Sequence, residues 1–302
     1  MWWNVFWMAA LASSWAVVAA DAPMRPDVVM ERLVLDDGED ASGWYNGSPE
    51  ETTLSSSADH VKQGRFSLKF ANVVDHTKGE KNYPVGWPRV GKDLAKARQT
   101  DWSGYDYFEC WIYARTRRES LPSVPLGVGF YHSGPKQSTH IPLKQVAKDA
   151  WVKIVIPVAD LADPKDVQRV QFNISEADYK HGDRVDFYID DMALTRFATP
   201  VVAELALSRK VVYAGDPVLT AAYRLAGRQT GSDVVAEFAI GRDPGDPLAR
   251  AQAKANRQGE VSLALPRVLA PGTYWARLGL RDARGQMLDQ RTVVFRVIEG
   301  PF

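Results

Sequence analysis

A chain of 302 residues that is 45% apolar has the bulk for one large or two ordinary globular domains, which excludes a disordered or fibrous protein. Its 37 Lys and Arg balance 37 Asp and Glu, so no net charge draws it to nucleic acid or to an anionic membrane, and both partners are excluded. One cysteine, Cys110 in an apolar strand-like segment, excludes an intramolecular disulfide and reads as a buried, inert thiol.

The chain opens on "VFWMAALASSWAVVAA", an apolar run of about sixteen residues, shorter than the roughly twenty that a spanning helix needs. Small residues at Val18 and Ala20 precede "DAP", the pattern of a signal peptidase site, although "MWWN" before the run carries no Lys or Arg. Residues 1–20 are therefore expected to be a cleaved signal peptide, leaving a secreted or periplasmic protein with no membrane attachment. No cysteine follows the cleavage site, so the segment is not a lipoprotein signal.

From residue 21 onward, short alternating segments recur between Gly, Pro, Asn and Asp, and long helical periodicity is absent, which predicts an all-β protein. The predicted strands are "RLVL", "TTLSSS", "GRFSLKF", "YFECWIYA", "PLGVGFYH", "WVKIVIPV", "VQRVQFNI" and "VDFYIDDMAL". In "YFECWIYA", Phe108, Cys110 and Ile112 share one face, and Tyr107, Glu109, Trp111 and Tyr113 share the other. "PVADLADPKDV" is expected to hold a helical turn.

A boundary is expected near "RFATPVV", dividing the mature chain into 21–198 and 199–302, each folding independently. Beyond it, "VVAELALS", "KVVYAGDPVLTAAYRL", "VVAEFAIG", "GEVSLALP", "GTYWARLGLRDARG" and "RTVVFRVIEG" are evenly spaced over about a hundred residues, which fits a seven-stranded immunoglobulin-like sandwich. "LAPGTYWARLGLRDARGQ" resembles the late strand pair of bacterial immunoglobulin-like accessory domains. Five of the six Trp after the leader precede the boundary, and only Trp275 follows it. Chemistry that uses ring faces is therefore placed in the first domain.

Two carboxylates, Asp190 and Asp191, stand inside the predicted strand "VDFYIDDMAL", where a charge is costly unless paired or ligating a metal. The order "LVLDDGEDASGW", "SADHVKQGRFSLKF", "DWSGYDYFECWIYA", "DAWVKIVIPVADL" and "RVDFYIDDMAL" resembles a galactose-binding-like jelly roll, as in the carbohydrate-binding modules found beside bacterial glycoside hydrolases. The resemblance covers about residues 28–197. One departure is Gly38, where the family's opening strand usually has an aromatic residue.

The resemblance implies that the last strand pairs beside the first, with Asp190 joining Asp37 and Glu39 around a structural calcium ion. A hard cation of six to eight oxygen ligands suits such a mixture of carboxylates and carbonyls. Two other readings stay open for these carboxylates: exposed strand ends or acceptors of backbone N–H bonds, and a catalytic pair.

A sugar presents apolar C–H faces and a hydroxyl rim, so its site needs flat rings beside polar hydrogen-bonding groups. Three segments offer them: Tyr83, Trp87 and Arg89 in "NYPVGWPR"; Trp111 and Tyr113, with Glu109, in "YFECWIYA"; and Tyr131 in "GVGFYHSG", whose glycines leave room above the sheet. Trp87 beside a sheet face carrying Trp111, Tyr113 and Tyr131 would make one aromatic surface. Trp111 serves equally as core. Trp44, Trp102 and Trp151 read as packing residues. No phosphate-loop, dinucleotide, nucleophile-elbow or zinc-protease motif occurs, the five histidines are scattered, and Glu176 with Asp178 in "SEADYK" is a weak pair.

The sequence thus predicts a jelly-roll β-sandwich followed by an immunoglobulin-like β-sandwich, in an exported, monomeric, non-catalytic protein that binds a polysaccharide or oligosaccharide with calcium as a structural ion. The alternatives are the N-terminal accessory region of a longer glycoside hydrolase, and a structural or adhesive surface protein that holds no sugar.

Overall fold

Apolar residues at a period of two give strands with one buried face, and two such faces must close on each other to exclude water. The computed structural model describes residues 29–78, 86–95, 98–134, 138–228, 234–242, 247–267 and 269–300; the expected signal peptide and Tyr83 lie outside them. Every described element is a strand or a short 3-10 turn, one of them at Val158–Asp160 in "PVADLADPKDV". No helix among the described residues is long and apolar enough to cross a membrane.

Strands are numbered in chain order. The six-stranded sheet runs β3 (Thr52–Ser57), β4 (Ser67–Val73), β11 (Arg184–Phe197), β6 (Tyr107–Thr116) and β9 (Trp151–Pro157), with β1 (Met30–Asp36) also paired to β11. The five-stranded sheet runs β2 (Trp44–Asn46), β5 (Arg89–Asp93), β10 (Arg169–Asn173), β7 (Gly127–Tyr131) and β8 (Thr139–Pro142). All pairs in both sheets are antiparallel. The sheets close into a jelly-roll β-sandwich around a core that includes Phe108, Cys110 and Ile112 of β6 with Phe130 and Phe172 from the facing sheet. Trp102 joins the layers, stacked on Phe108 at 5.5 Å and edge-on to Phe130 at 5.7 Å. As the alternation predicts, Tyr107, Glu109, Trp111 and Tyr113 occupy the other face of β6. Gly38 replaces the expected aromatic for a local reason: φ is 76°, and a Cβ would stand 3.1 Å from the Ser67 Cα.

Strands between Val201 and Ile298 form a second sandwich. Its smaller sheet is β12 (Val201–Leu207), β14 (Val218–Ala226) and β17 (Gln258–Ala264). The larger is β13 (Val211–Tyr213), β19 (Met287–Ile298), β18 (Gly272–Arg281), β15 (Val235–Gly241) and β16 (Ala249–Lys254). Among the described residues these are eight strands where seven were expected. "KVVYAGDPVLTAAYRL" is not one strand, because Gly215 at φ 98° and Pro217 break it into β13, parallel to β19, and β14.

The two sandwiches meet at a small cluster of Phe197, Val201 and Ala226. Beside it the buried Asp106 carboxylate accepts the Phe197 amide at 3.0 Å and the Gly227 amide at 2.8 Å. Arg257, from the second sandwich, stands 3.4 Å from the same carboxylate and donates to the Ser103 carbonyl at 2.6 Å. Burial raises the pKa of Asp106 above the ordinary carboxylate range, and the amides and Arg257 oppose that rise. Gly227 is required here, since φ is 89° and a Cβ would fall 2.2 Å from the Thr199 carbonyl oxygen. Asp106→Ala removes the acceptor of two amides, at about 1–3 kcal/mol for each one left without a partner. The expected outcome is a correspondingly lower unfolding midpoint in urea, with unchanged strand content by circular dichroism.

Candidate functional site

The two carboxylates of "IDDM" sit in a β-bulge. Opposite β6, Asp190 pairs with Trp111 and Ala193 with Glu109, so β11 carries one extra residue there. Asp191 takes φ 56°, a left-handed conformation that Asp tolerates better than most residues, and its carboxylate accepts Arg32 of β1 at 2.5 Å. Asp190 is 1% exposed. Its Oδ2 accepts the amides of Lys62 and Gln63 at 2.7 and 3.1 Å, and its Oδ1 is buried without a hydrogen-bond partner. Burial raises its pKa, while the two amides pull it down.

Glu39 grips the same loop from the other side, its Oε1 accepting the Arg65 and Phe66 amides at 2.5 and 3.1 Å. These bonds lower its pKa. Gly64 between the two grips has φ 77°, and a Cβ there would stand 2.1 Å from Glu39 Oε1. Asp37 is exposed and accepts the Glu39 amide, turning back on its own strand end instead of toward Asp190. Of the three expected metal ligands, the structure thus brings Glu39 and Asp190 to one loop and leaves Asp37 aside. Backbone acceptance, one of the readings left open by the sequence, describes what Glu39 and Asp190 do here.

The loop held by these carboxylates lies across the outer face of the six-stranded sheet. Lys62 Nζ sits 3.9 Å above the Trp111 ring, and His60 stacks on Tyr113 at 4.1 Å. Tyr113 also meets Trp151 at 5.6 Å and Tyr188 at 6.0 Å. The single aromatic surface expected from Trp87, Trp111, Tyr113 and Tyr131 therefore divides: Trp111 and Tyr113 belong to one sheet, under the loop, and Tyr131 to the other. Sequence alternation cannot say which sheet a strand joins.

The open face is that of the five-stranded sheet, where a groove of about 1070 Å³ runs over β5, β10 and β7. Its floor continues as one row across the strands, in which Tyr45 pairs with Gly91, Gly91 with Gln171, Gln171 with Gly129, and Gly129 with His140. Gln171 and His140 line the groove, and Tyr45 stands beside it. Of the glycines expected to leave room above the sheet, Gly129 does not leave it empty, and Gly91 repeats the pattern. A Cβ on Gly91 would stand 2.5 Å from the Tyr45 ring, and one on Gly129 would stand 2.9 Å from Tyr131 and 3.1 Å from His140. Rings lean over bare backbone instead. Tyr45 donates to Gln171 Oε1 at 2.5 Å, and Gln171 Nε2 donates to the Tyr131 hydroxyl at 2.9 Å. His140 stands edge-on to Tyr131 at 5.4 Å. Arg169 lies over both tyrosine rings, 5.2 Å from Tyr45 and 5.5 Å from Tyr131.

Trp87 is 49% exposed at the rim, and Arg89 of β5 lines the same groove. Their segment is tied down by Glu176. This residue is fully buried, and its carboxylate accepts the Gly86 amide at 2.9 Å and the Asp75 amide at 3.0 Å. That is a structural role, and it parts Glu176 from Asp178, which lines the groove. Glu51 lies at the same end, with Oε1 buried and unpartnered; burial first, then the Glu176 charge, raises its pKa. Tyr45, Gln171, Arg169 and His140 were missed in the sequence. For Arg169 and Gln171 the available signal was the alternation of "VQRVQFNI", which sets Arg169, Gln171 and Asn173 opposite the apolar residues.

No family model matches the sequence, and no curated protein sequence does. Among solved structures, the chain is similar to the glycoside hydrolase domain of Endo-D from Streptococcus pneumoniae R6 at 11% identity and a TM-score of 0.30, covering 84% of this chain and 37% of that one. A second is CBM27-1 of Caldicellulosiruptor saccharolyticus in complex with mannohexaose, at 14% identity and a TM-score of 0.37, covering 54% of this chain and 96% of that one. A third is the N-terminal CBM22-1-CBM22-2 tandem domain of Paenibacillus barcinonensis Xyn10C, at 10% identity and a TM-score of 0.30, covering 89% and 90%. This chain thus spans little more than a third of the Endo-D domain.

The floor geometry has a direct test in Gly91→Ala, which pushes the Tyr45 ring off β5 and breaks its bond to Gln171. Because a ring at the surface can swing aside, the cost is expected at the low end of overpacking, about 1 kcal/mol. The expected signature is a set of shifted tyrosine ring resonances in NMR, with a slightly lowered unfolding midpoint.

Proposed function

We propose that this is an exported, non-catalytic protein that binds a polysaccharide or oligosaccharide in the groove of the five-stranded sheet. The observation that supports it best is the floor: two tyrosines and a glutamine tied by hydrogen bonds, set in a groove of about 1070 Å³ with a half-exposed tryptophan at its rim. A sugar chain meets ring faces there without forcing the protein to reorganise, which limits the entropic cost of binding. Binding is preferred over catalysis because the fully buried carboxylate beside the groove, Glu176, is committed to two backbone amides. Export rests on the apolar run before Asp21, and the immunoglobulin-like character of the second sandwich on its strand spacing.

Calcium belongs to the same proposal as a structural ion at Asp190. The unpartnered, buried Oδ1 of Asp190 is an oxygen a cation would satisfy. Among the described residues no group of three His, Cys, Asp or Glu side chains is placed to hold a metal, so backbone carbonyls of the Lys62–Phe66 loop would have to complete the shell. A calcium ion there would fix the loop over the outer sheet; it takes no part in sugar contact.

Two experiments test this reading. Affinity gels with a panel of polysaccharides should show retention, weakened about ten- to a hundredfold by Trp87→Ala, the loss of one stacked ring at about 1–3 kcal/mol. The melting temperature should stay within a degree or two, and Trp111→Ala should leave retention unchanged. Equal loss in Trp111→Ala would move the site to the other sheet. For calcium, an ion at a hundred times its dissociation constant stabilises the fold by about 2.7 kcal/mol, so chelator should lower the melting temperature of the chain but not that of Asp190→Ala. An unchanged transition in chelator would leave the carboxylates as backbone acceptors alone.

A further inference from the structure

We propose that the groove selects a polysaccharide carrying carboxylate groups, such as one containing uronic acid units, and that Arg89 and Arg169 recognise the carboxylate. This rests on the reading that the groove binds a glycan. The two arginines flank the floor row: Gln171 pairs with Gly91, Arg169 lies two residues before Gln171, and Arg89 lies two residues before Gly91, opposite Asn173. A sugar seated on Tyr45, Gln171 and Tyr131 therefore has a guanidinium on either side. Both charges reach the Tyr45 phenol, where they oppose the rise in pKa caused by its burial.

Arg89 is half-buried, has no carboxylate within ion-pair distance among the described residues, and makes one long bond, 3.4 Å, to the Trp87 carbonyl. A partly desolvated cation without a counter-ion is costly, and an incoming anion relieves that cost. Arg169 uses Nε for Asp93 at 3.1 Å, and its plane rests on two tyrosine faces. Such a guanidinium is already oriented, and its fork matches a carboxylate as no lysine does. Since the whole chain has no net charge, selection comes from these local groups and not from a long-range field. Glu50, Glu51 and Asp178 line the groove beyond Arg89, together with Lys78, and would repel a second carboxylate seated past Arg89. The preferred chain thus carries its acid on some units and not on every one.

The test compares one uronic-acid-bearing polysaccharide, glucuronoxylan, with the same polymer after its carboxyls are reduced to primary alcohols. The full chain is titrated with both by calorimetry. The acidic form is expected to bind at least tenfold more tightly. Arg89→Gln and Arg169→Gln should each remove most of that difference, while Arg117→Gln, exposed just past the end of β6, should keep it. Tyr131→Ala should weaken binding to both forms. Equal binding of the two forms, with the Tyr131→Ala loss intact, overturns the acid preference and leaves the groove reading standing. Equal loss in Arg117→Gln overturns it as non-specific attraction. Binding of neither form, together with no retention on any neutral polysaccharide, overturns the groove reading and this inference with it. Melting curves of each variant identify any that fail to fold, and Arg89→Gln and Arg169→Gln serve as independent checks on one another.

Discussion

The bond from the Asp190 carboxylate to the Lys62 and Gln63 amides is the contact on which the layout of the first sandwich turns. At that point β11 bulges, and Asp190 reaches the loop on the outer face while Asp191 pairs with Arg32. Through it, a loop with a left-handed glycine is drawn across the outer sheet and covers Trp111 and Tyr113. The same strand ends at Phe197, which enters the contact with the second sandwich beside Asp106. One strand therefore holds a loop over part of one face, leaves the other free and sets the junction. A charge inside a strand, costly by itself, is accounted for by the loop it orders.

The free face is shaped by what its glycines allow. At Gly91 and Gly129 the absence of a Cβ lets rings from neighbouring positions lie against backbone, so the floor is both flat and filled. Hydrogen bonds from Tyr45 to Gln171 and from Gln171 to Tyr131 hold the rings in register with the strands. Arg169 completes the assembly through its contact with both rings. Such a surface is ordered before any ligand arrives, which matters more to affinity than its area does.

Much of this was legible in the sequence, and the limits have physical causes. Alternation at a period of two gave eight of the eleven described strands of the first sandwich and the inward face of β6, because burial imposes that period, but it missed the short β2, β5 and β8. It failed to assign strands to sheets, so Trp111, Tyr113 and Tyr131 were read as one surface. Tyr45 was overlooked beside the more conspicuous Trp44, although the two alternate: Trp44 is buried against Phe172 at 6.2 Å and Tyr45 bonds to Gln171 on the opposite face. Gln171 and Arg169 drew no notice because polar residues on the solvent side of a strand look alike until cross-strand register is known. In the second sandwich β16 was missed, since alternate alanines between Arg, Gln and Lys carry little apolar signal. The acidic residues near Asp190 were noticed for the right reason, an unexplained carboxylate in a strand. Only the structure shows that Asp36, not Asp37, is the inward member of its pair, accepting the Trp44 indole N–H at 3.0 Å and Gly38 at 2.9 Å.

The central claim is that recognition takes place on the five-stranded sheet and not on the loop-covered sheet behind it. Amide chemical-shift mapping of the isotope-labelled chain during titration with a retained oligosaccharide tests this most directly. The account predicts shifts concentrated in Arg89–Asp93, Gly127–Tyr131 and Arg169–Asn173, with Trp111 and Tyr113 unmoved. Shifts centred on Trp111, Tyr113 and the Lys62–Phe66 loop, with the five-stranded sheet silent, would contradict it.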